Sequence, residues 1–403
     1  MAARIAQRFA SASRSTLFQN GGGLSSKIKV LQLQLRYNVN ASDLAEQVIA
    51  GLPDETYEVT TVFLRGAPAP GEPESKAAHS VYFNCRPRDL KGIRRWLVIW
   101  KLYKFCKQHA FDVVIAHRFK PISMMMWISR LLKGPVFIGV QHGIGDYDRI
   151  LRRVEAGLLI TPRWKMVGVS GAVAEYLKRT VSAFGDDNTL AINNAIDIDQ
   201  ARASMLPRAS ARTDLGLAPD GIIIGCIGRL VPVKGHAVLI NAFAQIATRY
   251  PDVSVAIIGE GRERPVLEAL IAHHGLEHRV FLLGAHNDAL RYVKAFDIFA
   301  MPSFSEGLPL ALLEALAGER PVVGSDIPSM APILRSCGGS ICQPGDDADL
   351  STKLISLLEI DSDELKKKGA FGYEYLCNQH AIEDFQKNYL SLMNTMLISK
   401  RGG

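Results

Sequence analysis

The sequence predicts an α/β protein made of two doubly wound domains. Short apolar runs typical of buried parallel strands alternate with helical segments from residue 27 onward. The chain has 403 residues, which is too long for one ordinary core and suits two domains of about 100–200 residues each. In the second half, four strand and helix units follow one another directly, which favours a parallel sheet with right-handed crossovers.

Four segments are expected along the chain. Residues 1–26 form a basic, disordered tail, 27–200 a first domain, 201–380 a second domain, and 381–403 a C-terminal helix that crosses back to the first domain. The tail contains Arg4, Arg8 and Arg14 and no acid. An organellar transit peptide also has this composition, and a start codon upstream of the true one is a further alternative.

The predicted elements follow the hydrophobic pattern. In the first half, strands are predicted over 27–34, 57–64, 111–116, 135–140, 166–169 and 190–192, and helices over 42–50 and 171–179. Residues 201–219 lack strong periodicity and are interpreted as an irregular crossing between the domains. In the second half, strands are predicted over 222–227, 253–258, 280–283, 298–301 and 322–323, and helices over 236–250, 288–295 and 309–318, with one more ending near 274 and a helical tail over 351–400.

Composition limits the classes of partner. The net charge of +7 requires an acidic partner, which is a nucleic acid, a membrane surface or a phosphorylated substrate. The sequence contains no apolar run of the about 18–20 residues that a transmembrane helix needs. Its six cysteines are scattered without a CxxC pair, which argues against a zinc site or a disulfide framework and favours a reducing compartment.

Residues 86–107 are predicted to form a basic helix with an aromatic flank. Eight lysines and arginines stand against the single acid Asp89, and Trp96, Trp100 and Tyr103 are interleaved with them. Helices of this composition lie at the surface of anionic membranes. A helix packed on the sheet with a basic solvated face explains the pattern equally well, so both interpretations stay open.

Two histidines follow apolar strands of the first half. His117 follows the strand over 111–116, and His142 precedes Gly143 after the strand over 135–140. Open α/β sheets bind ligands beyond the carboxyl ends of their strands. We interpret His117 as a structural residue and His142 as a functional one, because the adjacent glycine lets a ligand approach the backbone.

The second half carries opposite charges in two loops of one sheet edge. Arg229 and Lys234 follow its first strand, and Glu306 and Glu314 follow its fourth. A nucleoside diphosphate sugar needs cations for its phosphates and carboxylates for its vicinal hydroxyls. Alternatively, Glu306 caps the helix that follows and Glu314 lies on a solvated helix face. The Asp197-Ile198-Asp199 stretch resembles a metal-binding DxD motif and is interpreted as structural.

Three motifs occur in order: GRLVPVKG, IIGEGRER and PSFSEGLPLALLEALAGERPVVGS. They resemble the donor-binding domain of the retaining GT-B glycosyltransferases of family 4, over most of residues 160–345. The resemblance implies a GT-B fold, in which two Rossmann-like domains face each other across a cleft. It also implies a donor of the nucleoside diphosphate sugar class, with no metal and no other cofactor.

The resemblance further implies roles for individual residues. The implied catalytic residues are Arg229, Lys234, Glu306 and His142. The implied donor-binding residues are Gly228, Gly259, Gly261, Arg262, Gly307, Leu308 and Glu314. Glu306 would contact the donor hexose, Glu314 the ribose, and the N–H groups near Gly307 and Leu308 the distal phosphate. Val169-Ser170 and the stretch Asn194 to Asp197 are similar to two further family motifs.

One loop departs from the family pattern. Residues 35–41 lack the Gly-Gly pair that usually follows the first strand, which leaves the acceptor unidentified. The predicted function is retaining transfer of a hexose or related sugar to a glycan or glycolipid in bacterial lipopolysaccharide or cell-surface polysaccharide synthesis. We expect no nucleic-acid partner and a cytoplasmic protein, peripheral on the inner membrane. The alternatives are a nucleotide-sugar epimerase on the same fold and a non-catalytic nucleotide-sugar-binding subunit.

Overall fold

The computed structural model describes residues 26–39, 43–286 and 288–401. The predicted tail over 1–26 therefore lies outside the described residues, apart from Ser26. The described chain forms one sheet of seven strands and one of six, and all of their strand pairs are parallel. The predicted α/β fold is confirmed.

The first sheet belongs to the N-terminal half. Its strands are β1 (Ile28–Gln34), β2 (Tyr57–Phe63), β3 (His79–Tyr82), β4 (Val113–His117), β5 (Val136–Gln141), β6 (Trp164–Gly168) and β7 (Thr189–Ala191). Its helices are α1 (Leu44–Ala50), α2 (Arg94–His109), α3 (Phe119–Ser129), α4 (Ile150–Leu159) and α5 (Gly171–Thr180). The strand order is β3-β2-β1-β4-β5-β6-β7. Val113 and Val114 of β4 pack into cores on opposite faces, as expected for a sheet covered on both sides.

The second sheet is preceded by α6 (Ile198–Ser204) and α7 (Arg208–Asp214). Its strands are β8 (Ile222–Ile227), β9 (Val253–Ile258), β10 (Val280–Leu282), β11 (Ile298–Met301), β12 (Val322–Ser325) and β13 (Ser340–Cys342), in the order β10-β9-β8-β11-β12-β13. The remaining helices are α8 (His236–Ile246), α9 (Arg264–His273), α10 (Leu310–Ala317), α11 (Ala331–Ser336), α12 (Asp347–Leu358), α13 (Ser362–Gln379) and α14 (Ile382–Arg401). The break in order between β8 and β11 places their two loops side by side.

Two predicted segments are wrong. The basic helix over 86–107 begins only at Arg94, because the Arg86 N–H bonds to the Asp89 carboxylate at 2.8 Å and Gly92 has a φ of 54°. Residues 86–93 therefore form turns. The supposedly irregular segment 201–219 contains the end of α6 and all of α7, and Ala201 and Ala211 pack into the core of the second domain.

Besides α6 and α7, five elements have no counterpart in the prediction, namely β3, α3, α4, α11 and β13. β3 is a four-residue edge strand without buried side chains, so it has no apolar pattern to detect. Helices α3 and α4 were also missed, and α4 leaves Leu151 and Leu158 exposed. The helix predicted over 288–295 is a 3₁₀ helix over Ala289–Ala295. Within the described residues, no helix is both long and apolar enough to cross a bilayer.

The last helix returns to the first domain. Phe385, Tyr389 and Met393 of α14 belong to the same core as Val113 of β4. The Tyr57 hydroxyl donates to the Asn394 Oδ1 at 2.6 Å. The first domain is therefore completed by a segment that follows the whole second domain in the chain.

Candidate active site

The loops after β8 and β11 form the centre of the candidate site. Residues of the two strands pair in register, with Ile224 opposite Ile298. Their loops therefore leave the same sheet edge as neighbours. Gly235 has a φ of 68°, and a Cβ there would lie 1.9 Å from the Pro302 carbonyl oxygen. Only glycine allows this close approach.

Lys234 and Glu306 meet where these loops adjoin. The Lys234 Nζ lies 2.6 Å from the Glu306 Oε1, and the Ser303 hydroxyl donates to the same oxygen at 2.8 Å. The two charged side chains are only 19% and 10% exposed. α10 has Pro309 at its N-cap and no side-chain cap. The alternative in which Glu306 caps this helix is therefore wrong.

Arg229 has a different environment. Its side chain is exposed, and among the described residues it forms no ion pair. Its carbonyl oxygen accepts a hydrogen bond from the His236 Nε2 at 3.2 Å, which fixes the loop at the start of α8. Burial lowers the pKa of His236 to about 4, so this imidazole is neutral near pH 7.

Three of the predicted donor-binding glycines lie where the loops after β8 and β9 touch. A Cβ at Gly259 would lie 1.9 Å from the Gly228 carbonyl oxygen, and one at Gly261 would lie 2.2 Å from that of Leu230. Gly259 and Gly261 are therefore needed for backbone packing. Arg262 is exposed beside them, while the neighbouring Arg264 pairs with Glu260 at 2.6 Å.

The loop that carries Glu306 also contacts the first domain. The Ser170 hydroxyl donates to the Gly307 carbonyl at 2.7 Å, and the Asn194 side-chain amide donates to the Leu308 carbonyl at 2.7 Å. A Cβ at Gly307 would lie 2.1 Å from the His142 carbonyl oxygen. Because no described peptide is cis, the Leu308 N–H points away from the Gly307 carbonyl and from Ser170.

His142 forms a pair with His117. The His117 Nδ1 lies 3.2 Å from the His142 Nε2, so one imidazole donates to the other. Burial, together with the charge of Arg118, lowers the pKa of His117 to about 3. Burial, followed by His117 and Arg118, holds the pKa of His142 well below its usual value. Both rings are therefore neutral near pH 7, and His142 interacts as a hydrogen-bonding group.

Glu314 lies on α10 and is 9% exposed, so the alternative of a solvated helix face is wrong. It lines a cavity of about 20 Å³ together with Gln47 and Asp197. A cavity of this size accommodates about one water and no sugar. The Asp197 carboxylate accepts from the Gln200 N–H at 2.8 Å and caps α6, which confirms its structural interpretation. No group of three potential metal ligands occurs within the described ranges.

Sequence reasoning did not predict several of these relationships. The pairing of Lys234 with Glu306 depends on the strand order, which no local pattern reveals. Arg118 received no role, yet its φ of 71° and ψ of 159° form a combination adopted almost only by glycine. Ser170 and Asn194 were noticed only as parts of motifs, whereas the structure brings both to the loop after β11.

Two family models match the chain. The model described as "Glycosyl transferases group 1" matches residues 207–373, and the model described as "Glycosyltransferase Family 4" matches residues 43–200. The first covers the loops of β8 and β11, and the second covers His142 and Ser170.

Three bacterial glycosyltransferases of named activity are similar to this chain. A GDP-mannose-dependent alpha-(1-6)-phosphatidylinositol monomannoside mannosyltransferase of Mycolicibacterium smegmatis is 32% identical over 75% of this chain and 81% of that protein. A UDP-Gal:alpha-D-GlcNAc-diphosphoundecaprenol alpha-1,3-galactosyltransferase of Escherichia coli is 26% identical over 75% and 80%. A D-inositol 3-phosphate glycosyltransferase of Nocardia farcinica is 31% identical over 49% of this chain, which spans about half (46%) of that relative.

Two solved structures share the fold. Sucrose-phosphate synthase from Thermosynechococcus elongatus superposes with a TM-score of 0.77 at 17% identity, covering 93% of this chain and 100% of that one. Anabaena HepE in complex with UDP-glucose superposes with a TM-score of 0.76 at 18% identity, covering 91% and 100%. The present chain has the same two-domain, Rossmann-like architecture as these two proteins.

Proposed function

The chain belongs to the group 1 glycosyltransferases of family 4, and from this membership we propose that it is a retaining enzyme acting on a nucleoside diphosphate sugar. It moves a hexose or related sugar to a glycan or glycolipid acceptor. The observation that carries the proposal is the juxtaposition of Lys234 and Glu306 at adjoining strand ends, with the unpaired Arg229 in the same loop as Lys234.

The donor site uses opposite charges for opposite ends of the donor. Lys234 and Arg229 bind the diphosphate, and the Leu308 N–H adds a backbone donor to the distal phosphate. Glu306 accepts hydrogen bonds from hydroxyls of the transferred sugar. Glu314 binds the ribose, which requires its small cavity to widen when the donor enters.

Neutral His142 completes the sugar site from the first domain. Its Nε2 is engaged with His117, which leaves the Nδ1 for a sugar hydroxyl. A neutral imidazole adds no positive charge beside the anomeric carbon, where positive charge develops during transfer. The positive charges that assist the reaction are therefore those of Arg229 and Lys234.

The reaction breaks the bond between the anomeric carbon and the diphosphate oxygen and forms one to the acceptor oxygen on the same face. The acceptor proton passes to the departing diphosphate, so no protein nucleophile is required. A positioned charge at the leaving group contributes about 3–4 kcal/mol to such a step. We propose that Arg229 and Lys234 supply this charge without a bound metal.

A membrane-associated acceptor is supported by the outer surface of the first domain. Nine of the fourteen large apolar side chains that are exposed among the described residues lie here, and we call them the apolar surface. They are Ile93, Trp96, Leu97, Trp100, Leu131, Ile150, Leu151, Val154 and Leu158. Part of this set lines a cavity of about 470 Å³ between α2 and α4.

The cations beside the apolar surface differ in whether they are free to contact an anionic membrane. Lys104 lies over the Trp100 ring at 5.2 Å, and Arg130 lines the same cavity. Arg95 instead pairs with Glu155 at 3.1 Å and is held within the protein. We propose that the surface contacts the cytoplasmic face of an anionic bacterial membrane, with Trp96 and Trp100 at headgroup depth.

We propose a lipid-linked acceptor from these two sites. The names of two relatives give phosphatidylinositol mannosides and a diphosphoundecaprenol-linked sugar as their substrates. A membrane-docked enzyme of this family suits a lipid-linked acceptor in lipopolysaccharide or cell-surface polysaccharide synthesis.

A donor panel tests the proposal. The full chain is screened by thermal shift against UDP, GDP, ADP and their sugars, and donor turnover is followed with anomeric analysis of the product by NMR. Donor hydrolysis or transfer with retention supports the proposal. Isomerisation of the donor would identify an epimerase instead, and binding without turnover would identify a non-catalytic subunit.

A further inference from the structure

Four cations follow the carboxyl ends of three adjacent strands in the first sheet. Arg36 follows β1, Arg65 follows β2, and Arg118 and Lys120 follow β4. The strand order β2-β1-β4 brings all three ends to the edge that faces the cleft. We call these four side chains the basic rim.

The basic rim is only partly neutralised, since Asp43 and Asp146 act on Arg118 as nearby negative charges and raise its pKa against the effect of burial. Within the described part of the chain, none of its members forms an ion pair, whereas the nearby Arg152 contacts Asp146 at 3.5 Å. Burial lowers the pKa of Lys120, and the neighbouring cations Lys91, Arg65, Arg36 and Arg152 lower it further.

The carboxylates at this edge accept hydrogen bonds from neighbouring backbone and hydroxyl groups. Glu46 accepts from the Ser75 hydroxyl and the Lys76 N–H, and Glu72 accepts from the Ala69 N–H at 2.8 Å. Asp43 caps α1 through the Ala45 N–H, and Asp89 holds the Arg86 turn. These contacts hold the carboxylates in local turns and caps, so that none of them forms an ion pair with a side chain of the basic rim.

A cavity opens beside the rim. It has a volume of about 270 Å³ and is lined by Arg36, Tyr37, Arg65 and Asn84, with Gly66 and Cys85. The two guanidinium groups and the Asn84 amide of its lining bind phosphate oxygens well, whereas the Tyr37 hydroxyl already donates to the Pro73 carbonyl. The cavity lies on the first domain, apart from Lys234 and Glu306 in the second.

Arg118 is held in the rim at a conformational cost. Its φ of 71° and ψ of 159° are unfavourable for a residue with a Cβ, and its N–H bonds to the Val140 carbonyl at 2.9 Å. A glycine would adopt this backbone without strain. A strained cation among like charges lowers stability, which is expected where a ligand requires the charge.

We propose that the basic rim and its cavity bind a phosphoryl group of the acceptor. The inference rests on the proposed glycosyl transfer and assigns the acceptor to the phosphorylated class. A neutral sugar hydroxyl gains little from four clustered cations, whereas a phosphate or diphosphate offsets their mutual repulsion. The phosphate belongs either to a soluble sugar or polyol phosphate or to a lipid headgroup.

Inorganic pyrophosphate is the probe. Its binding is measured by calorimetry on the full chain in the presence of a saturating nucleoside diphosphate, so that the donor site is already occupied. Wild-type protein should bind pyrophosphate, and Arg36→Gln/Lys120→Gln should weaken binding about 10-fold or more without lowering the melting temperature. Lys367→Gln removes an exposed cation from α13 and should leave the affinity unchanged.

Two results would overturn the inference: no pyrophosphate binding by the nucleotide-loaded wild type, or equal affinity in the rim variant. Competition then identifies the source of the phosphate. Displacement by inositol 1-phosphate supports a soluble acceptor, and displacement only by vesicles of phosphatidylinositol in phosphatidylcholine supports a lipid-linked one. Donor hydrolysis by the wild type is measured separately, so a failure of the proposed transfer is distinguishable from a failure at the rim.

Discussion

The Lys234 Nζ lies 2.6 Å from the Glu306 Oε1, although 72 residues separate them in the sequence. Their strands are neighbours, and both side chains are largely shielded from water. In the proposed reaction the donor diphosphate takes over the ammonium group, and sugar hydroxyls donate to the carboxylate. Under this proposal, the ion pair is the resting arrangement of two groups that bind different parts of one donor.

Replacement of either donor-site cation should reduce turnover but affect stability differently. Arg229→Ala and Lys234→Ala should each lower kcat about 10²–10³-fold, because each removes a charge that stabilises the leaving group. Lys234→Ala also leaves a buried carboxylate without its cation and should cost about 1–3 kcal/mol of unfolding free energy. Exposed Arg229 carries no such penalty. Urea melts and steady-state kinetics test both effects, and near-normal transfer by either variant would contradict the assignment.

A methyl group at position 307 should separate the domains. Gly307→Ala places a Cβ 2.1 Å from the His142 carbonyl oxygen, so the loop cannot keep its bonds to Ser170 and Asn194. We expect kcat/KM to fall about 10²-fold through misplacement of Glu306. Gly134→Ala is the control, since a Cβ there meets nothing within 4 Å. Equal activity of the two variants would show that this contact is not needed.

The buried histidine pair should make the protein less stable in acid. The pKa of His117 is about 3 in the folded protein and about 6.5 when unfolded, so the unfolded chain binds more protons between these values. Stability from this group is present above pH 6.5 and is lost as the pH falls towards 3. The slope is about 1 kcal/mol per pH unit within that window. His117→Asn should show a shallower loss than wild type in urea unfolding between pH 7 and pH 4, and parallel curves would contradict this account.

Polar substitution on α4 should weaken membrane binding. Leu151 is 80% exposed and Leu158 71% exposed, so Leu151→Gln/Leu158→Gln removes apolar area available to lipid without opening the core. We expect about a 10-fold loss of binding to vesicles containing anionic lipid, measured by co-sedimentation. Val266→Gln, on α9 of the second domain, is the matched control. Unchanged sedimentation of the double variant would exclude the apolar surface as the contact.

Glycine at position 118 should stabilise the protein while weakening the basic rim. Arg118→Gly relieves the backbone strain of the folded protein but adds conformational entropy to the unfolded chain. We expect the first effect to be larger, so that the free energy of unfolding rises by about 1 kcal/mol. Pyrophosphate affinity should fall at the same time, since one rim cation is removed. Arg118→Ala removes the charge but keeps the strain, so it should lose affinity without gaining stability.

Regular elements with strong apolar runs were predictable from the sequence. Strands β8, β9 and β11 were located at their observed residues because both of their faces are buried. The edge strand β3 was not predictable, since it buries no side chain and has no apolar pattern. The helix α4 was missed although its apolar residues recur with the strong periodicity of an amphipathic helix.

The candidate site was predictable as a set of residues but not as an arrangement. The motifs identified Lys234, Glu306 and His142, because their residue types match the chemistry of a nucleoside diphosphate sugar. Their mutual contacts depend on the break in strand order between β8 and β11 and on the docking of the domains. The strain at Arg118 leaves no sequence signal, since arginine is common after strands.

The return of α14 to the first domain has a consequence for biosynthesis. Ribosomes synthesise residues 28–191 first, but Phe385, Tyr389 and Met393 reach their places in that core only after the second domain has been made. A nascent first domain therefore exposes an apolar groove for the time taken to translate about 190 further residues, at about 5–20 residues per second. Chaperone occupancy during translation should consequently persist until α14 leaves the ribosome, and ribosome profiling of chaperone-bound nascent chains would reveal that delay.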